Sequence, residues 1–82
     1  QIGWGPFMRD VAATGNVIRR SRVGIAVTSA PEAGSCLIAN NLISGSMDGA
    51  IRAMNHGAML GPDLAREPQA AGRITVSGNV AT

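Results

Sequence analysis

Few side chains in this 82-residue chain are suited to proton transfer or ligand contact. His56 is the single histidine, and histidine is the side chain whose ordinary pKa suits proton transfer near neutral pH. It follows Arg52 closely, and the stretch after it carries Asp63 and Arg66. Because binding residues concentrate on loops, we expect these four residues to contact a ligand. The alternative is that His56 is an ordinary exposed loop histidine.

The acidic side chains give little support for acid–base catalysis. Two carboxylates that act as acid and base must lie close together, on one strand or at equivalent positions of neighbouring strands. No two acids meet this condition in the repeat described below, and Asp48-Gly49 is typical of a turn. We therefore expect no catalytic residue in this chain. The acids are Asp10, Glu32, Asp48, Asp63 and Glu67.

Sulfur-containing side chains do not indicate a metal site. The single cysteine, Cys36, excludes an internal disulfide and a cysteine-based zinc cluster. In an alignment of three similar stretches of the chain, Cys36 occupies the same position as Val11 and Ile74. We therefore expect Cys36 to be a small buried apolar residue rather than a nucleophile. The four methionines have no regular spacing. The sequence thus predicts no metal and no cofactor.

The charge balance does not favour nucleic acid as a partner. The net charge is +2, and the chain has one Trp, one Phe and no Tyr. Nucleic-acid-binding proteins usually combine a dense basic patch with stacking aromatic side chains. Here Arg19, Arg20 and Arg22 cluster without an aromatic neighbour. No apolar run approaches the roughly 20 residues of a membrane span, so we predict neither nucleic-acid binding nor a membrane span.

Three stretches of the chain can be aligned on an asparagine. They read V-A-A-T-G-N-V-I, C-L-I-A-N-N-L-I and I-T-V-S-G-N-V-A. The asparagines are about 25 and about 38 residues apart, within the period range of solenoid repeats. Alternating apolar residues favour short strands, and Gly-Asn or Asn-Asn favours sharp corners. The stretches are residues 11–18, 36–43 and 74–81, and the aligned asparagines are Asn16, Asn41 and Asn79.

This repeat predicts an all-β fold, a right-handed parallel β-helix fragment of about three rungs. Equivalent residues of successive rungs would stack roughly 4.8 Å apart. Asn16, Asn41 and Asn79 would then form a ladder of hydrogen-bonded amides at one corner. The alternative role for these amides is carbohydrate binding. A small antiparallel β-sandwich is the second candidate fold, and it explains the strands but not the matched columns.

We expect one domain over residues 1–82, with the repeat over residues 10–82. The longer second step places a loop insertion at residues 55–72, in which Gly61–Glu67 could form one helical turn. Residues 1–9 do not fit the repeat, so they form a cap or the remnant of a preceding rung. The chain begins with Gln, which suggests a piece of a longer protein. Open rung ends predict a homo-oligomer.

The repeat resembles known β-helix families. The stretch G-N-V-I-R-R-S-R-V-G-I-A-V, residues 15–27, is similar to the parallel β-helix repeats of pectate-lyase-like, polysaccharide-processing proteins. Residues 40–51, N-N-L-I-S-G-S-M-D-G-A-I, more specifically resemble an uncharacterised bacterial family of repeat proteins exported by the twin-arginine route. The resemblance implies a periplasmic or extracellular location. Arg19-Arg20 lies inside the repeat and is not a twin-arginine signal.

The resulting functional hypothesis is a non-catalytic terminal β-helix module of a larger exported bacterial protein. It would act as a scaffold or as a saccharide-binding surface, with a polysaccharide as partner. Two alternatives stay open. The chain is a fragment of a polysaccharide lyase or hydrolase whose catalytic residues lie in upstream rungs, or it is a structural unit for self-association. Whether the parent protein is an enzyme also stays open.

Overall fold

The computed structural model describes residues 10–28, 34–55, 58–67 and 73–82. Over these residues the chain forms short β-strands and no helix, which confirms the predicted all-β class. No helix long and apolar enough to cross a membrane occurs in this part of the chain. The strands are β1 (Val11–Thr14), β2 (Val17–Arg19), β3 (Ile25–Thr28), β4 (Cys36–Ala39), β5 (Leu42–Ser44), β6 (Ile51–Asn55), β7 (Ala58–Leu60), β8 (Ile74–Ser77) and β9 (Val80–Ala81).

The strands form three three-stranded sheets. The first sheet has the order β1-β4-β8 and the second has the order β2-β5-β9, and both are parallel throughout. In the third sheet, β3 and β6 are parallel, whereas β7 runs antiparallel to β6. The first two sheets therefore each take one strand from every aligned stretch. Because these pairings are parallel, the antiparallel sandwich is wrong.

The strand register follows the columns of the sequence alignment. In the first sheet Cys36 pairs with Val11 on one side and Ile74 on the other. In the third sheet Ile25 pairs with Ile51, an offset one residue longer than in the first two sheets. The connection from β5 to β6 is therefore one residue longer than the connection from β2 to β3.

Alternate side chains of the three sheets meet in one hydrophobic core. Aliphatic residues dominate it, and Ile38, Ile43 and Ile51 are at most 1% exposed. Burying a side chain of this size stabilises a fold by about 1.5–3 kcal/mol. The core cluster comprises Ile25, Val27, Cys36, Ile38, Ile43, Ala50, Ile51, Ala53, Leu64, Ile74 and Val76.

The corner between the first and second sheets explains the Gly-Asn and Asn-Asn pairs. Gly15, Asn40 and Gly78 occupy the same alignment column, and all three have φ between 57° and 69°. Glycine adopts this left-handed region without strain, and asparagine tolerates it better than most residues. The residue type at this corner is thus fixed by backbone geometry.

The insertion differs from the predicted loop over residues 55–72. Asn55 ends β6, and β7 folds back on β6 with Met54 opposite Met59. The third sheet has no strand from the third aligned stretch, so β7 supplies the pairing that the edge of β6 would otherwise lack. Residues 63–67 form a single turn inside the predicted stretch Gly61–Glu67, closed by an i→i+4 hydrogen bond from the Glu67 N–H to the Asp63 carbonyl at 3.0 Å. The predicted cap at residues 1–9 lies outside the described residues.

Candidate functional site

The three aligned asparagines meet at the corner between the first and second sheets. Asn16 Nδ2 donates to Asn41 Oδ1 at 3.0 Å, and Asn41 Nδ2 donates to Asn79 Oδ1 at 2.8 Å. The backbone N–H groups of Asn16 and Asn41 donate to the same two oxygens, at 2.9 and 3.0 Å. The Oδ1 atoms of Asn41 and Asn79 therefore each accept two hydrogen bonds from the preceding asparagine.

The amides of Asn41 and Asn79 also reach back to the preceding strand of the first sheet. Asn41 Nδ2 donates to the Ala13 carbonyl at 3.1 Å, and Asn79 Nδ2 donates to the Ile38 carbonyl at 2.9 Å. Asn41 is 2% exposed, so its side chain meets no external ligand. The central amide thus joins neighbouring strands and is not placed to bind carbohydrate.

Asp63 is bound to backbone N–H groups of a neighbouring segment. Its Oδ2 accepts from the Ala50 N–H at 2.8 Å, and its Oδ1 accepts from the Ile51 N–H at 3.0 Å. Oδ1 also accepts from the Ala65 N–H at 3.0 Å, which closes the turn that begins at Asp63. The carboxylate takes the place that carbonyl groups of a third parallel strand would occupy beside β6.

The surroundings of Asp63 favour its ionised form. Partial burial alone would raise the pKa of this carboxyl group. The three N–H donors and the nearby Arg52 guanidinium outweigh that effect and hold its pKa below the usual range. Asp63 is therefore a charged structural group, with its lone pairs directed into the protein.

Arg52 links the start of β6 to the insertion. Its Nη1 contacts the Asp48 carbonyl at 3.3 Å, and its Nη2 donates to the Gly61 carbonyl at 2.9 Å. Its Nε is buried, and no acceptor for it lies among the described residues. The guanidinium is thus mainly engaged with backbone carbonyls rather than presented to a ligand.

A small cleft joins two of the four predicted ligand-contacting residues. Asp63 and Arg66 both line it, at a volume of about 60 Å³. Ordinary small-molecule pockets measure roughly 300–1,000 Å³, so this cleft does not enclose a sugar ring. His56 lies outside the described residues. The other lining residues are Ile43, Ser46, Ala50, Ala81 and Thr82.

The acids of the described segments do not form a catalytic or metal-binding group. Asp48 pairs with Arg22 Nε at 3.2 Å on the surface. The Asp63 carboxylate accepts hydrogen bonds from backbone N–H groups. Asp10 and Glu67 are exposed. Within residues 10–28, 34–55, 58–67 and 73–82, no three His, Cys, Asp or Glu side chains are grouped to hold a metal ion.

Cys36 is packed in the core. It is 2% exposed and lies between Val11 and Ile74 in the register of the first sheet. Burial raises the pKa of its thiol, because the thiolate loses hydration there. A thiol in these surroundings is a poor nucleophile.

Sequence reasoning missed Asp63 and Leu64 as structural residues. Leu64 is 2% exposed, and its N–H donates to the Ile51 carbonyl at 2.8 Å. An Asp-Leu pair after Gly-Pro was the available signal, because a turn with an acidic first residue often binds nearby N–H groups. The three hydrogen bonds that the Asp63 carboxylate accepts have no counterpart in the repeat, so the alignment does not predict them.

Comparison of the chain with protein-family models, with curated proteins and with solved structures gives no match.

Proposed function

We propose that this chain is a non-catalytic scaffold module, wound as a right-handed parallel β-helix of about three rungs. The observation that supports this proposal most directly is the strand register of the first two sheets. Each aligned stretch contributes one strand to each sheet, and residues at equivalent alignment positions pair with each other. The asparagine ladder supports the proposal, because its bonds join residues 25 and 38 apart in sequence. Right-handedness follows from the general preference of parallel crossover connections.

The chemistry of the described residues supports a scaffold rather than an enzyme. The carboxylate of Asp63 is bound to backbone N–H groups, and the thiol of Cys36 is buried. Catalysis needs acid, base or nucleophilic groups that converge on an open cleft. The cleft lined by Asp63 and Arg66 is too small for a sugar unit. The described residues therefore offer surfaces and edges for contact rather than a reaction centre.

A saccharide-binding module is the second form of this proposal, and in it the saccharide contacts the outer surface of the second sheet. Val17, Leu42 and Val80 point outward in register across the second sheet, and are 68%, 43% and 55% exposed. Such a row offers apolar contact to the faces of a long polymer. Export to the periplasm or beyond belongs to the same proposal and derives from the resemblance. A glycan array with the full chain tests saccharide binding, and Leu42→Asp is the variant expected to abolish any signal.

Insertion of one further repeat unit tests the scaffold itself. A copy of residues 17–41 placed between Asn41 and Leu42 supplies one strand for each sheet and one more ladder asparagine. A β-helix accepts the unit because each rung contacts only its neighbours. We expect a folded product with β-type circular dichroism and a higher unfolding midpoint.

The control is the same insertion with Leu37, a residue inside β4, deleted from the copied unit. Removal of one residue turns the following side chains to the opposite face of the strand. This product is expected to unfold at lower denaturant concentration than the parent chain. If both insertions unfold alike, the β-helix proposal is wrong.

A further inference from the structure

The asparagine ladder has two different ends. At one end lies Asn16, whose Oδ1 has no donor among the described residues, although the equivalent oxygens of Asn41 and Asn79 each accept two hydrogen bonds. At the other end lies Asn79, whose backbone N–H has no described acceptor, whereas those of Asn16 and Asn41 donate along the ladder. The ladder therefore ends in an acceptor on one side and a donor on the other.

The strand edges beside the ladder have the same polarity. We call the outer edges of β1 and β2 the leading edge, and those of β8 and β9 the trailing edge. Both edges belong to parallel sheets and are unpaired within the described residues. A strand pair of the leading edge thus has the direction and side-chain alternation needed to continue the trailing edge.

We propose that a second copy of this chain adds head to tail, its leading edge pairing in parallel with the trailing edge of the first. Val11 and Val17 of the added copy then lie opposite Ile74 and Val80, continuing the existing columns. Asn79 of the first copy donates to Asn16 Oδ1 of the second. The inference rests on the β-helix proposal above and names the partner of its open edges.

Packing supports the same arrangement. In the continued register, Ile18 of the added copy lies opposite Ala81. Ala81 and Ile43 line the cleft of about 60 Å³ at the trailing edge. Ile18 is a partly buried side chain packed against the core, so the added copy would extend that core over the cleft. The third sheet does not continue in this way, because β7 is antiparallel to β6.

Head-to-tail addition does not close on itself. The two surfaces differ, so each added copy presents a new trailing or leading edge, and a chain of copies grows. A head-to-head dimer would place the two Asn16 acceptors against each other without a donor. The ladder thus favours growth over a closed dimer.

Sedimentation velocity over a concentration range up to about 1 mM, the weak end of specific association, tests the proposal on the full chain. We expect a mean mass that rises with concentration and passes the dimer without a plateau. A monomer at every concentration, or a species that stops at the dimer, overturns the proposal. Circular dichroism on the same samples shows whether the chain is folded, so a folded monomer contradicts this inference and leaves the β-helix proposal intact.

The variant Ala12→Pro tests the leading edge specifically. The Val11 N–H donates to the Ser35 carbonyl, so in a parallel strand the N–H of Ala12 faces the open edge. Proline removes that N–H and is tolerated at edge strands. We expect association to need at least about tenfold higher concentration. The matched control, Ala12→Thr, keeps the N–H and is expected to associate like the parent chain.

Mixing separates the two directions of assembly. A copy with Ala12→Pro keeps its trailing edge, so it still binds the leading edge of a parent chain but accepts no further copy on its own leading edge. Small amounts of this variant are therefore expected to shorten the parent assemblies. A mean mass that does not change on mixing overturns the head-to-tail order.

Discussion

Asn41 shows how one residue holds three strands together. Its amide joins Asn16, Asn79 and the Ala13 carbonyl while almost fully buried. Asn41→Ala leaves several of these groups without partners, and each unsatisfied buried group costs about 1–3 kcal/mol. We expect a loss of roughly 3 kcal/mol or more in the free energy of unfolding, measured by urea denaturation.

Asn16→Ala is the matched comparison for the ladder. Asn16 is exposed and lies at the end, so its removal leaves fewer buried groups unpaired. We expect a loss of about 1 kcal/mol. Equal losses for the two variants would contradict a structural ladder centred on Asn41.

Cys36 is expected to be unreactive in the folded chain. Its thiol pKa is raised by burial, so little thiolate forms near neutral pH. Labelling with a thiol reagent should be slow without denaturant and fast in urea. Cys36→Val preserves an aliphatic column and should cost less stability than Cys36→Ser, which buries a hydroxyl group. Rapid labelling of the folded chain would contradict the packing of the first sheet.

At the scale of elements, the insertion seals the third sheet. β7 pairs with the second half of β6, and the carboxylate of Asp63 binds the N–H groups of Ala50 and Ile51 at its start. Leu64 adds a core side chain beside Ile51. One short segment thus supplies the hydrogen bonds and the apolar contact that a third parallel strand would give.

The insertion makes stability depend on pH through Asp63. Its pKa in the folded chain lies below that of the unfolded chain, about 3.9. Its contribution is therefore complete above the unfolded value and is lost as the pH falls through the folded value. We expect Asp63→Asn to lower the free energy of unfolding by about 1–3 kcal/mol at pH 7.

Urea denaturation at pH 7 and pH 3 checks this pH dependence. The difference between the parent chain and Asp63→Asn should narrow at the lower pH, since both then carry an uncharged side chain for part of the time. Asp48→Asn, at an exposed ion pair, serves as the control and should change stability by less than about 1 kcal/mol. A constant difference for Asp63→Asn across the pH range would contradict the role of its charge.

Leu64 tests the core contribution of the insertion. It is 2% exposed, and Leu→Ala changes in cores cost about 2–5 kcal/mol. Leu60 in β7 is 43% exposed, so Leu60→Ala should cost far less. Urea denaturation of both variants measures the contrast. Similar losses would show that the insertion does not pack on the core as described.

The sequence predicts the repeated elements far better than the insertion. The three stretches can be aligned because each has period-two alternation and an asparagine at a fixed position. The columns of that alignment predict the register of Val11, Cys36 and Ile74. β7 and Leu64 have no counterpart in the other stretches, so no column places them. The bonds of Asp63 also depend on a side chain replacing a backbone strand, which residue spacing does not reveal.

At the scale of the whole molecule, burial is uneven. The middle strands β4, β5 and β6 have neighbours on both sides, and Ile38, Ile43 and Ile51 are at most 1% exposed. In the column of Ile43, Ile18 of the outer strand β2 is only partly buried and Ala81 of the outer strand β9 is exposed. Stability should therefore fall from the middle strands towards the leading and trailing edges.

Amide hydrogen exchange at low protein concentration is expected to follow this gradient. The Cys36 N–H belongs to the middle strand β4, where Cys36 is 2% exposed, whereas the Thr82 N–H lies beside the outer strand β9 and bonds the Ile43 carbonyl. Opening the edge needs the loss of few apolar contacts, so Thr82 should exchange at least about tenfold faster than Cys36. At concentrations where copies add head to tail, exchange at Thr82 should slow, because an added copy covers that edge. Equal exchange at both sites in dilute solution would mean that the three sheets open together, and the edges would then be no weaker than the centre.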